Sequence, residues 1–320
     1  GGMKAVIWSD CVQFVVYMIG GVVAGAIIIR SLDGGWQELL AFARDNDKLR
    51  LFDFRMPMSS GTKFWQEPYT FLAGICGGSA LTLGTHGTDQ MMVQRYLCAR
   101  SQRDAGLALI LSGFVVTIQF ALFLFLGVAL ACFYTNVRPE MSFATNDEVF
   151  ATFIVRELPI GLVGLTLAAV FSAATSTLSS SLNSSASAAV NDFYITSVGK
   201  DSQRDSPAAL RISRGLTIFF GFVQIGVGIG ASYVSRNVVG DALAIAGFTA
   251  GILLGVFALG VTTKRVGQTA SLCGMCAGIS LLAYVKFGTT IAWPWYAIIG
   301  ATATYLMGFA VSFFIRQTAK

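Results

Sequence analysis

A dense run of small hydroxyl side chains lies in a segment that is otherwise apolar enough to cross a membrane. The segment covers residues 158–194. Its hydroxyl and amide residues fall within about four helical turns: Ser172, Thr175, Ser176, Thr177, Ser179, Ser180, Ser181, Asn183, Ser184, Ser185 and Ser187. A helix with 3.6 residues per turn places one subset on a single face: Ala173, Ser176, Thr177, Ser180, Ser184 and Ser187.

A stripe of hydroxyls on a membrane-spanning helix needs polar or tightly packed surroundings, because lipid offers its oxygens no partner. Two interpretations remain open. Small residues let neighbouring helices approach closely, so the stripe is compatible with helix packing alone. Hydroxyl and carbonyl oxygens are also hard ligands, so the stripe is equally suited to a water-filled cavity that binds a hard cation.

The first apolar segment carries Asp10 and Gln13 about two turns inside its end. An ionised carboxylate at the centre of a membrane helix costs roughly 2.5–3.5 kcal/mol on insertion scales. A carboxylate nearer the boundary can reach the lipid headgroups instead. We favour a role for Asp10 as a cation ligand or a proton carrier.

The second apolar segment is interrupted over Thr82–Gln90, where two glycines bracket Thr85 and His86. Non-helical backbone at membrane depth is tolerated where it lines a cavity or is buried in protein, and transporters use such broken helices as binding sites. The alternative is that the helix ends at Leu83. We favour the broken helix, because an apolar pattern resumes before the cluster of basic residues that begins at Arg95. A structural role and a substrate contact are equally compatible with His86, the only histidine.

The composition defines the class of protein. The 320 residues are 54% hydrophobic and 12% charged, whereas soluble domains carry about 25% charged residues. We therefore predict an all-α polytopic membrane protein with about eight membrane spans, whose first partner is the lipid bilayer. The predicted spans cover residues 4–29, 68–96, 105–133, 158–190, 209–234, 240–263, 267–286 and 291–315, and a long polar outer loop covers 30–63.

The charge distribution predicts the orientation of these spans. Basic residues cluster in the loops on one side of the predicted topology, which by the positive-inside rule places both ends of the chain in the cytoplasm. The formal net charge of +5 is small for this length. It reflects this loop bias, and we expect no nucleic-acid partner.

Three stretches together resemble the sodium:solute symporter family. They are GGMKAVIWSDCVQ (1–13), GTDQMMVQRYLCARS (87–101) and FSAATSTLSSSLNSSASAAVNDFY (171–194). The resemblance implies a leucine-transporter-like fold of inverted repeats and sodium-driven import by alternating access, with no enzymatic activity. It also implies a plasma or bacterial inner membrane. Because the family's chains are longer, we expect the amino-terminal helices, including the first core helix, to be missing from this sequence.

The resemblance also implies site residues. In the family a common sodium site takes a backbone carbonyl and two hydroxyls from the third of these stretches, which match Ala173, Ser176 and Thr177. Members with a second sodium ion use an aspartate and further serines. These match Asp10, Ser179 and Ser180, with Ser176 a candidate for both sites.

Substrate contacts in the family include the broken helix, here Thr82, Thr85, His86 and Thr88. Sugar-carrying members place aromatic residues near two of these positions. This sequence has no aromatic residue at those positions, which argues against a sugar. His86 and the hydroxyls suit a small anionic solute at least as well. The expected solute remains a monocarboxylate, an amino acid, sialic acid or a sugar.

Three rival functions have distinct signatures. A proton-coupled transporter of the same fold would use Asp10 as the proton carrier. A transporter-like sensor would carry a long soluble extension after the last span, and this sequence continues only a few residues beyond it. An intramembrane serine hydrolase would need His86 as its base and lacks a G-x-S-x-G motif.

Overall fold

The computed structural model describes residues 2–54, 63–196, 207–234 and 237–314. These residues are helical, without a strand among them, as the composition predicts. The α-helices are α1 (Gly2–Ser31), α2 (Gly35–Asp45), α3 (Lys63–Gln66), α4 (Gly78–Gly87), α5 (Gln90–Leu97), α6 (Gln102–Asn136), α7 (Asp147–Glu157), α8 (Ile160–Ala189), α9 (Pro207–Val234), α10 (Val238–Thr262), α11 (Gln268–Gly288) and α12 (Pro294–Phe314). Two π-helical segments, Ala73–Gly77 and Val190–Ile195, precede α4 and follow α8.

Seven helices of the described chain are long and apolar enough to cross a membrane. They cover Ile7–Ser31, Gln102–Asn136, Ile160–Ile195, Pro207–Ala231, Val238–Thr262, Gln268–Gly288 and Pro294–Phe314. Each corresponds to one of the eight predicted spans. The remaining predicted span, 68–96, has no counterpart among them because it is divided into shorter helices.

The interruption of that span is shorter than the predicted Thr82–Gln90. Only Thr88 and Asp89 separate α4 from α5. Both helix ends are capped locally: the Thr88 hydroxyl donates to the Gly84 carbonyl at 2.6 Å, and the Met91 N–H donates to Asp89 Oδ1 at 2.8 Å. These bonds satisfy backbone groups that a helix end would otherwise leave unpaired, so the helix continues through His86.

The chain divides into two compact units. The first unit comprises Gly1–Leu49 and Arg95–Arg236. In it α1 packs against α6 and α8, and α8 packs against α9. The apolar core of this unit lies at the end of α1 that is far from Asp10, where Ile28, Phe133 and Phe153 are fully buried.

An exposed carboxylate ties α2 to the end of α6 in this first unit. Glu38 accepts from the Gly34 N–H at 2.8 Å and from Asn136 Nδ2 at 2.6 Å. The hydrogen bond from Gly34, and then that from Asn136, hold the pKa of Glu38 below its ordinary value. Both bonds are made to the charged carboxylate, so they favour its ionised form.

The second unit comprises Arg50–Gln94 and Asn237–Lys320. In it α12 packs against both α10 and α11, and α4 packs against α10. Glycines allow these close approaches. A Cβ placed on Gly84 would lie 2.8 Å from the Cβ and the carbonyl oxygen of Ala250, whereas one placed on Gly78 would meet nothing within 4 Å. The position of α4 on α10 therefore depends on Gly84.

Candidate functional site

An open cleft of about 550 Å³ lies between α1 and α8 in the first unit. It is lined by Ser9, Gln13, Phe171, Ser172, Thr175, Ser176, Ser179 and Ser180. Six of these eight side chains carry a hydroxyl group. One side of the hydroxyl-rich helix therefore faces a polar cavity, which is the arrangement suited to a hard cation.

Asp10 lies against this cleft with a partner on each carboxylate oxygen. Ser176 Oγ donates to Asp10 Oδ1 at 2.9 Å. Arg95 Nη2 lies 3.1 Å from Asp10 Oδ2. Because the single proton of Ser176 is directed at the carboxylate, the lone pairs of its oxygen are available to a cation. The structure thus brings together Asp10 and Ser176, which are 166 residues apart in the chain.

A second polar contact joins the same two helices one turn away. Gln13 Nε2 donates to Ser172 Oγ at 2.7 Å and to Ser9 Oγ at 3.2 Å. From Asp10 to Gln13 the residue numbers rise along α1, while those of their partners fall from Ser176 to Ser172. The helices are therefore antiparallel here, and the two contacts together define their register.

Other faces of α8 have different surroundings. Ser181 Oγ accepts from Gln224 Nε2 of α9 at 3.0 Å, so part of the hydroxyl stripe serves helix packing. Ala173 borders a second, mainly apolar cavity of about 360 Å³ between α1, α6 and α8. In that cavity the Tyr17 hydroxyl donates to Gln119 Oε1 at 2.9 Å.

The six predicted sodium ligands are therefore brought together only in part. Ser176, Ser179 and Ser180 line the polar cleft, and Asp10 contacts Ser176. Ala173 lies on the other cavity, and Thr177, one residue beyond Ser176, is exposed.

The predicted substrate residues lie at the end of α4 and just after it, in the second unit. The Thr85 hydroxyl donates to the Leu81 carbonyl at 3.0 Å and lies 3.0 Å from His86 Nδ1. Which of these two atoms donates depends on the tautomer of the His86 ring. Thr82 is exposed, and Thr88 caps the helix.

Two polar groups near Asp10 are not among the predicted site residues. Arg95 served in the sequence only to mark where basic residues follow the second span, yet its guanidinium pairs with Asp10. Gln13 was noted only as a companion of Asp10, without the serines it contacts. The sequence holds part of the information that identifies them. Asp10 and Gln13 are three residues apart and therefore share a helix face. Arg95 follows the apolar stretch of α5 with which the second span resumes.

Comparison with known proteins places these features in a family. The model of the Sodium:solute symporter family matches residues 1–278. The human sodium/iodide cotransporter is 31% identical over 305 residues, which cover 92% of this chain and 45% of the cotransporter. The sodium/sialic acid symporter of Aliivibrio fischeri is 28% identical over 313 residues, which cover 97% of this chain and 60% of the symporter.

A solved structure shows the same architecture. A Na⁺-coupled sialic acid symporter, in a substrate-bound outward-open state, superimposes with a TM-score of 0.79 at 26% sequence identity. The match covers 98% of this chain and 63% of that protein. It confirms the predicted leucine-transporter-like fold. The chain spans about half the length of the curated relatives it matches. On the match to its family model and these similarities, the chain belongs to the sodium:solute symporter family.

Proposed function

We propose that this chain is part of a sodium-coupled symporter that imports a small organic solute by alternating access. The observation that carries the proposal is the contact between Ser176 and Asp10 at the edge of a hydroxyl-lined cleft. Family membership supports it, because the relatives are named as sodium-coupled carriers of iodide and of sialic acid. For the hydroxyl residues of α8 that line the cleft, we therefore favour sodium binding over a role in helix packing alone.

Sodium is proposed to bind to oxygen atoms that α8 carries. Ala173 would offer its carbonyl, with Ser176 and Thr177 offering hydroxyls, to one ion. Asp10 would neutralise a second ion with the help of Ser179, Ser180 and Ser176, which the two ions would share. A hard monovalent cation suits these oxygens, and its charge compensates the high cost of a carboxylate at membrane depth.

The driving force for such a carrier is large enough to concentrate solute. Moving one charge across 100 mV yields roughly 2.3 kcal/mol. A tenfold sodium gradient adds about 1.4 kcal/mol. Coupling further requires that sodium bind more tightly to the conformation that holds solute than to the one that releases it.

The solute is proposed to contact α4 through Thr82, Thr85, His86 and Thr88. A ring nitrogen that carries a proton donates to a carboxylate, and one without a proton accepts from a solute hydroxyl or ammonium group. The candidate solutes are a monocarboxylate, an amino acid, sialic acid and a sugar, to which the human relative adds iodide.

The proposed location is the cell membrane, with both ends of this chain on the cytoplasmic side. The excess of basic residues in the loops of that side supports this orientation. Fusing a reporter that is active only in the cytoplasm to the carboxyl end tests it. An inactive reporter on a normally inserted protein would reverse the assignment.

The test of function is solute-stimulated uptake of radioactive sodium into proteoliposomes that contain the native polypeptide carrying this sequence. Each candidate solute is tested with sodium and with choline at constant pH. Uptake that requires sodium, is stimulated by one solute and is lost in Asp10→Asn supports the proposal. Solute uptake that ignores sodium and follows a proton gradient through Asp10 would identify a proton-coupled carrier instead.

A further inference from the structure

We infer that Arg95 is a resident counter-cation that competes with sodium for Asp10. The inference rests on the proposed function, since it concerns the ion-binding carboxylate of that site. In the absence of sodium, the guanidinium neutralises Asp10; when sodium binds to the carboxylate, Arg95 leaves it. The pair therefore makes sodium affinity depend on a residue that is not itself an ion ligand.

Each of the two partners of Asp10 contacts a different oxygen of its carboxylate. Arg95 Nη2 lies 3.1 Å from Oδ2, and Ser176 Oγ donates to Oδ1 at 2.9 Å. The Ser176 contact is compatible with bound sodium, because its donated proton leaves the oxygen lone pairs available for a cation. The Arg95 contact opposes sodium binding, because its positive charge repels a second cation at the same carboxylate.

The location of the pair makes the competition effective. The side chains of Arg95 and Asp10 are 32% and 29% exposed, so water only partly screens their charges. Asp10 also belongs to a membrane-spanning helix, where an unneutralised carboxylate is costly. An arginine that neutralises the empty site stabilises the sodium-free protein, and exchanging it for sodium leaves the local charge balanced.

The position of Arg95 gives the exchange a mechanical consequence. Arg95 lies on α5, three residues before Cys98, whereas Asp10 and Ser176 lie on α1 and α8. While the ion pair persists, the guanidinium links the end of α5 to α1. Sodium binding removes that link, so occupancy of the ion site is transmitted to the segment that carries Arg95.

The test is thermal unfolding of the purified native polypeptide in choline and during a sodium titration at constant ionic strength. The variant Arg95→Gln is expected to lower the unfolding temperature in choline. It is also expected to lower the half-saturating sodium concentration about fivefold, the ratio that corresponds to a partly exposed ion pair. Arg95→Lys retains the charge and should stay near the native value.

The matched control is Arg138→Gln. It breaks another ion pair of the same unit, in which Arg138 Nε lies 3.3 Å from Glu157 Oε1. Any loss of stability in this variant should be equal in choline and in sodium. An unchanged or increased half-saturating concentration in Arg95→Gln, together with an intact sodium response that requires Asp10, would overturn the competition and leave the proposed function standing.

A second measurement does not depend on the folding of a variant. Phenylglyoxal modifies accessible arginines, and mass spectrometry locates the modified residue. Sodium should increase the modification of Arg95 in the native protein, and leave Arg138 unaffected. Protection of Arg95 by sodium would overturn the inference. A native protein that responds equally to sodium and choline would instead overturn the proposed function, and the inference with it.

Discussion

Replacing Ser176 with alanine removes the hydroxyl that donates to Asp10 at 2.9 Å. A hydrogen bond to a charged group contributes about 1.5–3 kcal/mol. The Ser176 oxygen is also a proposed sodium ligand, and for its contact with the ion we take the lower end of that range, because the Asp10 side chain is 29% exposed. About 1.5 kcal/mol corresponds to a tenfold change in an equilibrium constant. We therefore expect Ser176→Ala to raise the half-saturating sodium concentration about tenfold.

The two residues should also act on one ion, since they are in direct contact. The assay is equilibrium binding of radioactive sodium to the purified native polypeptide, for Ser176→Ala, Asp10→Asn and the double variant. Once Asp10 is neutralised, the loss of Ser176 should have little further effect, because coupled neighbours are not additive. If the two substitutions weaken sodium binding by factors that multiply in the double variant, this expectation is refuted, and Ser176 and Asp10 bind separate ions.

The matched control for this cycle is Thr175→Val. Thr175 lines the same cleft, but its hydroxyl donates to the Phe171 carbonyl of its own helix at 2.8 Å. Valine has nearly the same shape and lacks only that hydroxyl. Sodium binding should therefore be unchanged in this variant. A loss as large as that of Ser176→Ala would show that the assay reports general damage to α8.

Three further changes have defined outcomes. Gly84→Ala should lower the free energy of unfolding by about 1–3 kcal/mol, since the added methyl group overlaps α10. Its control, Gly78→Ala, should be neutral or slightly stabilising, and chemical denaturation measures both variants. Asn136→Ala should lower the thermal stability at neutral pH. Because the pKa of Glu38 is depressed in the folded protein, that loss should shrink as the pH falls through the folded pKa, and a pH-independent loss would contradict it. Gln13→Leu should weaken sodium binding less than Ser176→Ala, since Gln13 holds α1 and α8 in register without reaching the Asp10 carboxylate; an equal or larger effect in the same binding assay would make it an ion ligand.

The helical membrane class and the ends of most helices followed from local sequence. Apolar stretches of sufficient length predict spans wherever they occur, because lipid requires every backbone group to bond within its own helix. The division of the second span lies within the predicted Thr82–Gln90 but begins later, since Thr85 and Thr88 donate to backbone carbonyls and so sustain the helix through Gly87.

The hydroxyl stripe illustrates how far a periodic pattern reaches. Helical spacing correctly grouped Ser176 and Ser180, which line one cleft. The same pattern placed Ala173 with them, although Ala173 borders a different cavity. Periodicity groups residues on a face to within about 100° of rotation, the angle between successive residues of a helix. The packing of the neighbouring helices decides which part of that face lines which cavity.

The sequence by itself determined which helices form and which polar residues lie within them, since both depend on near neighbours in the chain. Only the tertiary structure decided that Ser176 and Arg95 meet at Asp10. These contacts join residues far apart in the chain, and they depend on the rotation and register of α1 against α8. Packing sets that register across the whole interface, so no local pattern specifies it.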